Sequence, residues 1–184
     1  MKRCLISIVA LSLFVVAGYA HAEILNLNGP ISKDKKSEIY YIDSNGKKYL
    51  LSVNFKSSER KEIIQAYKTK KELSVIAQYQ KILHGPEAGQ INIRDDGVTI
   101  VKVLSIAKKG VGGIVTGVFK AAACGDACYF TFFDDAGKEQ TYYANFTELD
   151  AYMDNPSYKG KKVNVVWKAV GKKDRVAVAV ELAK

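Results

Sequence analysis

The sequence predicts a mainly β protein with short helices, in which one order of strands and a helix occurs twice. The first observation is internal similarity: residues 39–55 (IYYIDSNGKKYLLSVNF) align with residues 130–146 (FTFFDDAGKEQTYYANF) at a constant offset of 91. The matched turn residues are Asp43, Gly46, Lys47 and Asp134, Gly137, Lys138. The second observation is that both segments read as strand, glycine-containing turn and strand, which is typical of a β-hairpin.

The remaining elements follow in the same order in both halves, which predicts strand, strand, strand, helix, strand, strand twice. A first strand is predicted at residues 23–29 and again at 112–122. After the hairpin, residues 57–69 have a serine start and apolar residues at helical spacing, and residues 147–157 form a shorter helix with Thr147 as the predicted N-cap. The later strands are predicted at 70–79, 92–107, 161–170 and 173–183.

This element order resembles the OB-fold, a five-stranded Greek-key barrel with its helix between the third and fourth strands. The resemblance implies two OB-fold-like barrels in tandem, at residues 23–107 and 114–184, joined by a glycine-rich linker at 108–113. SH3-like barrels and a single α+β domain remain alternatives. In OB-folds the binding face is flanked by the loop between the first two strands and the loop between the last two.

Residues 1–22 have the features of a secretory signal peptide: a basic start, an apolar run and small residues at positions 20 and 22. Cleavage is predicted after Ala22, which places the protein in the periplasm or outside the cell. The apolar run is too short for a confident membrane span, and no later stretch is long and apolar enough to be one. The sequence therefore predicts no transmembrane segment in the mature chain.

The mature chain would keep two of the three cysteines, Cys124 and Cys128. An even number of cysteines in an oxidising compartment favours a disulfide between them. Redox motifs have two residues between their cysteines rather than three, and a zinc site needs about four ligands whereas the only mature histidine, His84, is distant in sequence. We therefore predict a structural disulfide bond across the turn between the first two strands of the second half.

The sequence favours binding over catalysis. Tyrosine and tryptophan offer large contact area at low entropic cost, and the chain carries a net charge of +9, which attracts anionic partners. Aromatic residues fall on both faces of the strands around residues 129–133 and 141–146, and the sequence does not decide which face is exposed. The candidate binding residues are Gly125, Asp126, Tyr129, Tyr142, Tyr143 and Trp167.

No catalytic constellation is evident in the sequence. The aspartate pairs at 95–96 and 134–135 both precede glycine in predicted hairpin turns, where aspartate is favoured for backbone reasons. The glycines at 110–113 lack the lysine and helix of a phosphate-binding loop. The sequence therefore predicts no enzyme, no cofactor and no metal site.

These observations lead to one preferred function and two alternatives. The preferred function is a periplasmic or secreted, non-enzymatic binding protein that recognises an anionic envelope glycan or a protein; nucleic acid is an unlikely partner outside the cytoplasm. The first alternative is an inhibitor or immunity-type protein that blocks a partner through the disulfide loop. The second is an enzyme that uses the tandem aspartates.

Overall fold

A computed structural model describes residues 23–146, 149–153, 155–171 and 174–183. The chain is mainly β, and each half contains three strands, a helix and two strands, as predicted. The elements are β1 (Ile24–Lys33), β2 (Tyr40–Ser44), β3 (Lys47–Ser52), α1 (Ser58–Thr69), β4 (Glu72–Tyr79), β5 (Thr99–Ile106), β6 (Gly112–Cys124), β7 (Cys128–Asp134), β8 (Glu139–Ala144), α2 (Asp150–Met153), β9 (Lys162–Val170) and β10 (Asp174–Leu182). The predicted signal peptide and the predicted N-cap Thr147 lie outside the described residues.

The strands form two closed five-stranded sheets, one in each half of the chain. The first sheet has the order β1-β2-β3-β5-β4 and closes through the antiparallel pair β1 and β4. The second has the order β6-β7-β8-β10-β9 and closes through β6 and β9. We call them the first and second barrels. Within the part of the chain that is described, no helix is long and apolar enough to cross a membrane.

Helix α1 follows β3 and begins at a well-formed cap. The Ser57 side chain accepts a hydrogen bond from the backbone N–H of Arg60 at 3.2 Å, which satisfies one of the free N–H groups of the first turn. Ile63 and Ala66, three residues apart, are buried on one helix face. Ile63 belongs to the first barrel's core, so α1 is held against that barrel by its apolar face.

Each barrel has its own hydrophobic core, and the second core is more aromatic. The first core is mostly aliphatic and includes Ile42, Val75 and Val101. The second core is built around Phe130 and Phe132, together with Phe119, Tyr142 and Tyr152. Rings at edge-to-face geometry add about 0.5–1.5 kcal/mol per pair beyond their burial. The aromatic character of residues 129–146 therefore serves first to fill the second barrel.

The two barrels pack against each other through the outer faces of β4, β5, β9 and β10. A buried apolar cluster joins Ile76 and Leu104 of the first barrel to Val166 and Ala179 of the second. The Ser105 hydroxyl, which is fully buried, donates to the backbone carbonyl of Trp167 at 2.9 Å. The two halves are therefore joined by packing as well as by the chain.

An ion pair extends this contact at one side. Lys168 of β9 lies 3.2 Å from the buried carboxylate of Glu59 in α1. Burial alone would raise the pKa of Glu59, but the hydrogen bond from its own backbone N–H and the positive charge of Lys168 outweigh it and hold the pKa below its ordinary value. Glu59 therefore stays ionised and paired across the barrel contact.

The glycine-rich stretch between the halves differs from the predicted linker. Gly112 and Gly113 lie in β6, where they pair with Lys168 and Trp167. A Cβ atom on Gly112 would lie 1.9 Å from the Ser105 hydroxyl oxygen and 2.9 Å from the Trp167 carbonyl oxygen. Gly112 is therefore required by the close approach of the two barrels and not by flexibility.

The internal repeat also differs in detail from the predicted alignment. The first hairpin turns through two residues, Asn45 and Gly46, both with positive φ, and pairs Ser44 with Lys47. The second hairpin has three residues in its turn, between Asp134 and Lys138. The backbone N–H of Asp134 donates to the carbonyl of Lys138 across this turn. The equivalent residues before the turn are therefore 90 apart and those after it 91 apart. As a result Ser44, not Asp43, occupies the position of Asp134.

Candidate functional site

The predicted disulfide is present and closes the tip of the β6–β7 hairpin. Cys124 is the last residue of β6 and Cys128 the first of β7, and the two are directly paired with their Cα atoms 4.0 Å apart. Gly125 and Asp126 are exposed at the tip. The backbone N–H of Gly125 donates to the carbonyl of Ala127 at 3.1 Å. The tip is thus restrained by one covalent bond and one hydrogen bond.

Replacing Cys124 and Cys128 by serine should lower the free energy of unfolding by about 2 kcal/mol, because the bond closes only a five-residue loop in the unfolded chain. Denaturant unfolding of the double variant and of the oxidised parent measures this difference. The fold should survive, because the second core is built mainly from fully buried rings such as Phe130 and Phe132, and Cys128 packs against it as a partly buried neighbour. Loss of the folded baseline in the double variant would show that the bond holds more than the hairpin tip.

The structure decides which aromatic face of β7 and β8 is exposed. Phe130, Phe132 and Tyr142 point into the second barrel and are almost fully buried. Tyr129 and Tyr143 belong to the opposite face and are 40% and 42% exposed. Side chains alternate between the two faces of a strand, so each strand supplies both sets. Only Tyr129 and Tyr143 among the predicted aromatic residues are available on the outer surface.

Tyr129 and Tyr143 form a pair across the two strands. They are directly opposite in register, and their ring centroids are 5.1 Å apart with an angle of 35° between the planes. The proximity of Tyr129, the negative charge of Asp174 and a hydrogen bond to Tyr129 raise the pKa of the Tyr143 hydroxyl. The Tyr143 phenol therefore stays neutral, and the pair presents an aromatic surface with hydroxyl groups at its edge.

Arg175, which the sequence analysis did not single out, lies beside this pair at the start of β10. Its Nη1 group donates to the hydroxyl of Tyr142 at 2.9 Å. Its guanidinium carbon lies 4.6 Å from the centroid of the Trp167 ring and 5.6 Å from that of Tyr142. Tyr142 and Trp167, predicted as contact residues, are thus buried or half-buried supports of an exposed arginine.

These side chains surround an open cleft of about 560 Å³ between β8 and the start of β10. The parallel pairing of β8 with β10 comprises two residue pairs, whereas the corresponding pairing of β3 with β5 comprises four. The cleft occupies the part of the β8 edge that β10 does not cover. Its lining consists of Tyr129, Lys138, Gln140, Thr141, Tyr142, Tyr143, Asp174 and Arg175.

Two predicted residues, Gly125 and Asp126, do not line the cleft. They lie on the hairpin tip that precedes Tyr129, so the disulfide fixes the strand end from which Tyr129 projects. The only sequence signal for Arg175 is its position after the loop between the last two strands of the second half, a position that it shares with neighbouring lysines. That loop flanks the binding face in the resembled fold.

In each tandem pair, one aspartate stabilises the turn in which it lies by accepting hydrogen bonds. The Asp134 carboxylate accepts hydrogen bonds from the side chain of Gln140 at 2.8 Å and from the backbone N–H groups of Lys138 and Ala136. These bonds, that from Gln140 first, hold its pKa below the ordinary value. Asp96 accepts from the backbone N–H of Val98. Both acids follow the preference of aspartate for turns.

Within the described residues, no group of three or more histidine, cysteine, aspartate or glutamate side chains is arranged to hold a metal ion. His84 is exposed in the connection between β4 and β5. Among the described residues that line the cleft, Asp174 is the only acidic one. The cleft therefore offers aromatic rings, hydrogen-bonding side chains, the cations of Lys138 and Arg175 and the Asp174 carboxylate.

Comparison with known proteins identifies no family for this chain. No protein-family model matches the chain, and no curated protein matches it. Among solved structures, the chain is similar to one described as the tetrameric p202 HIN2, at 11% identity and a TM-score of 0.32, over 89% of this chain and 94% of that chain. The description of the site therefore depends on the residues themselves.

Proposed function

We propose that this chain is an exported, non-enzymatic binding protein whose two barrels are OB-folds in tandem, and that the cleft beside Tyr129 and Tyr143 binds an anionic glycan of the cell envelope. The observation that carries the proposal is the exposed tyrosine pair with Arg175 in the same cleft, where no described carboxylate forms an ion pair with that arginine. The periplasmic or extracellular location follows from the sequence of residues 1–22.

The strand order supports the OB-fold assignment. In both barrels the first strand pairs with the second and the fourth, the third pairs in parallel with the fifth, and a helix lies between the third and fourth. That is the arrangement of a five-stranded Greek-key barrel of this kind. The second barrel would then run from β6 to β10, with the disulfide in its first loop.

The location of the cleft supports its use as a binding site. In OB-folds, ligands bind on the face of the second and third strands, between the loop after the first strand and the loop before the fifth. In the second barrel these strands are β7 and β8, which carry Tyr129 and Tyr143. The loop before the fifth strand leads into Asp174 and Arg175. The cleft thus coincides with the binding face that this fold uses most.

The lining supports a ring-containing, negatively charged ligand. Tyrosine rings pack on the flat faces of sugar rings, and two adjacent rings at 5.1 Å offer more area than a single one. Lys138 and Arg175 contribute positive charge, while Gln140 and Thr141 offer hydrogen bonds to hydroxyl groups. In the envelope, acidic polysaccharides combine both features.

Replacing Tyr129 and Tyr143 together by alanine tests the proposal. Truncation of aromatic anchors at a binding surface costs about 2 kcal/mol or more, so affinity for an acidic oligosaccharide should fall by about thirtyfold. Titration calorimetry with a panel of acidic and neutral oligosaccharides measures the effect. Tyr67→Ala is the matched control, because Tyr67 is similarly exposed, at 40%, but lies on α1.

Retention of full affinity by the double variant would refute the proposed site. Absence of binding to every glycan in the panel would refute a glycan ligand. In that case the exposed and covalently restrained hairpin tip favours the alternative, an inhibitor-type contact with a protein partner. Substitution of Asp126 by lysine would then abolish capture of the partner, and the tyrosine variant would leave it unchanged.

A further inference from the structure

We infer that Arg175 is a preorganised receptor for a carboxylate, so that the acid group of the ligand is a carboxylate carried on a sugar ring, as in a uronic acid. This inference rests on the proposed function and assigns the chemical class of the charged group. Its basis is the position of one guanidinium that is held by aromatic groups and forms no ion pair with any carboxylate that the structure describes.

The guanidinium of Arg175 is fixed on two sides. It stacks on Trp167 at 4.6 Å, and it donates through Nη1 to the Tyr142 hydroxyl at 2.9 Å. Trp167 is itself held in place, because it packs against the second core and its ring lies edge-on to that of Tyr142 with centroids 6.3 Å apart. Less rotamer freedom is therefore lost when a ligand binds than for a free surface side chain.

Arg175 differs from the other arginines that the structure describes. Arg60 lies 3.5 Å from Glu38, and Arg94 lies 3.4 Å from Asp96. Among the described residues, no carboxylate forms an ion pair with Arg175, although Asp174 is its neighbour in sequence. Arg175 thus has a charge that a ligand can neutralise.

The free edge of Arg175 suits a planar anion. With Nη1 directed to Tyr142, the Nε and Nη2 groups are left to donate two parallel hydrogen bonds, the arrangement in which arginine binds a carboxylate. The charged lining residues are Lys138, Arg175 and Asp174, which together give one net positive charge. That balance matches a single carboxylate better than a doubly charged group.

The remaining lining groups suit the hydroxyls of the same sugar ring. Asp174 lines the same cleft as Tyr129 and Tyr143, so a carboxylate acceptor is present at the aromatic pair, and its negative charge helps to raise the pKa of the Tyr143 phenol. Ionised carboxylates accept hydrogen bonds from hydroxyl groups, and Gln140 and Thr141 can both donate and accept. A ring carboxylate at Arg175 and ring hydroxyls at Asp174 therefore fit one ligand orientation.

The test compares a trimer of galacturonic acid with the same trimer as its methyl ester, which keeps the sugar rings but carries no negative charge. Trp167 is the only tryptophan in the chain and lies under Arg175, so its fluorescence reports directly on this position. The variant Arg175→Lys keeps the positive charge but loses the two parallel N–H donors of the guanidinium. Arg94→Lys is the matched control, because Arg94 also donates to a tyrosine hydroxyl, that of Tyr41 at 3.3 Å, but is paired with an acid.

We expect the acid to bind at least tenfold more tightly than the ester, and to quench or shift the Trp167 emission. Arg175→Lys should lose at least tenfold in affinity for the acid, since charge-assisted bidentate bonds are the stronger class of hydrogen bond. The same variant should lose less affinity for the ester than for the acid, because the ester carries no charge for the guanidinium to pair with. Arg94→Lys should change neither affinity.

Equal binding of acid and ester by the parent, with both lost on removal of the two tyrosines, would overturn this inference and leave the glycan site standing. Unchanged affinity of Arg175→Lys for the acid would also overturn it. Tighter binding of a sulfated trimer of a neutral sugar than of the galacturonate would overturn the assignment of the acid group as a carboxylate. Binding of none of these probes would overturn the glycan site and this inference together.

Discussion

Replacing Phe130 by alanine is expected to lower the free energy of unfolding by about 3–5 kcal/mol, the range for removing a large aromatic side chain from a core. Phe130 is fully buried at the centre of the second barrel. Its ring lies 4.9 Å from that of Phe119 and 5.5 Å from that of Tyr152, so neighbouring rings on two other elements lose contacts at once. Denaturant unfolding followed by circular dichroism measures the change.

Phe133→Ala is the matched control for this prediction. Phe133 is the same residue type on the same strand, three positions further on, but it belongs to the outer face and is 36% exposed. Its replacement should cost clearly less, about 2 kcal/mol or below, because its ring stays partly in water and its removal leaves no enclosed cavity. Similar losses for both variants would contradict the assignment of the inner and outer faces of β7.

Gly117→Ala is expected to cost about 3 kcal/mol, although it adds only one methyl group. A Cβ atom at this position would lie 2.3 Å from the backbone oxygen of Phe133 and 2.6 Å from the Phe132 ring. The backbone oxygen cannot rotate away, so β6 and β7 must separate locally, and overpacking of this kind costs about 1–3 kcal/mol or more. The midpoint of thermal unfolding should fall accordingly.

Gly113 provides the control on the same strand. A Cβ atom there would lie 3.4 Å or more from its neighbours, which is ordinary contact distance with the Trp167 indole. Gly113→Ala should therefore change stability by less than about 1 kcal/mol, as for most substitutions that create neither a clash nor a cavity. Equal destabilisation by both alanines would indicate a general cost of removing glycine from β6 in place of the specific clash at Gly117.

Much of the fold could be predicted from the sequence because local residue patterns determine where strands, turns and helices occur. The hairpin turns, the serine that begins α1 and the β-branched runs gave the order of all ten strands and both helices. The disulfide followed from the number and spacing of the cysteines and from the predicted compartment. Each of these signals depends on residues within a few positions of one another.

The pairing register and the site could not be predicted in the same way. One additional residue in the second hairpin turn moves β7 by one position relative to the repeat, and a shift of one residue exchanges the two faces of a strand. The sequence alignment matched Asp43 with Asp134 because the turn residues are identical. In the structure, however, Ile42 corresponds to Phe132. Which tyrosines are exposed depends on this register.

Arg175 was missed for a related reason. Its role depends on Trp167 and Tyr142, which lie on two other strands and are 8 and 33 residues away in sequence. Nothing in the local sequence distinguishes it from the surrounding lysines at 172 and 173. Only the closed sheet brings β8, β9 and β10 together at the end of the barrel.

Strand β9 is used on both of its faces at adjacent positions. Val165 fills the second core, Val166 packs against the first barrel, and Trp167 supports Arg175 while its carbonyl accepts from Ser105. The two barrels are consequently held at a fixed separation, so a partner that contacts both would bind without an added entropic cost for aligning two loosely tethered modules.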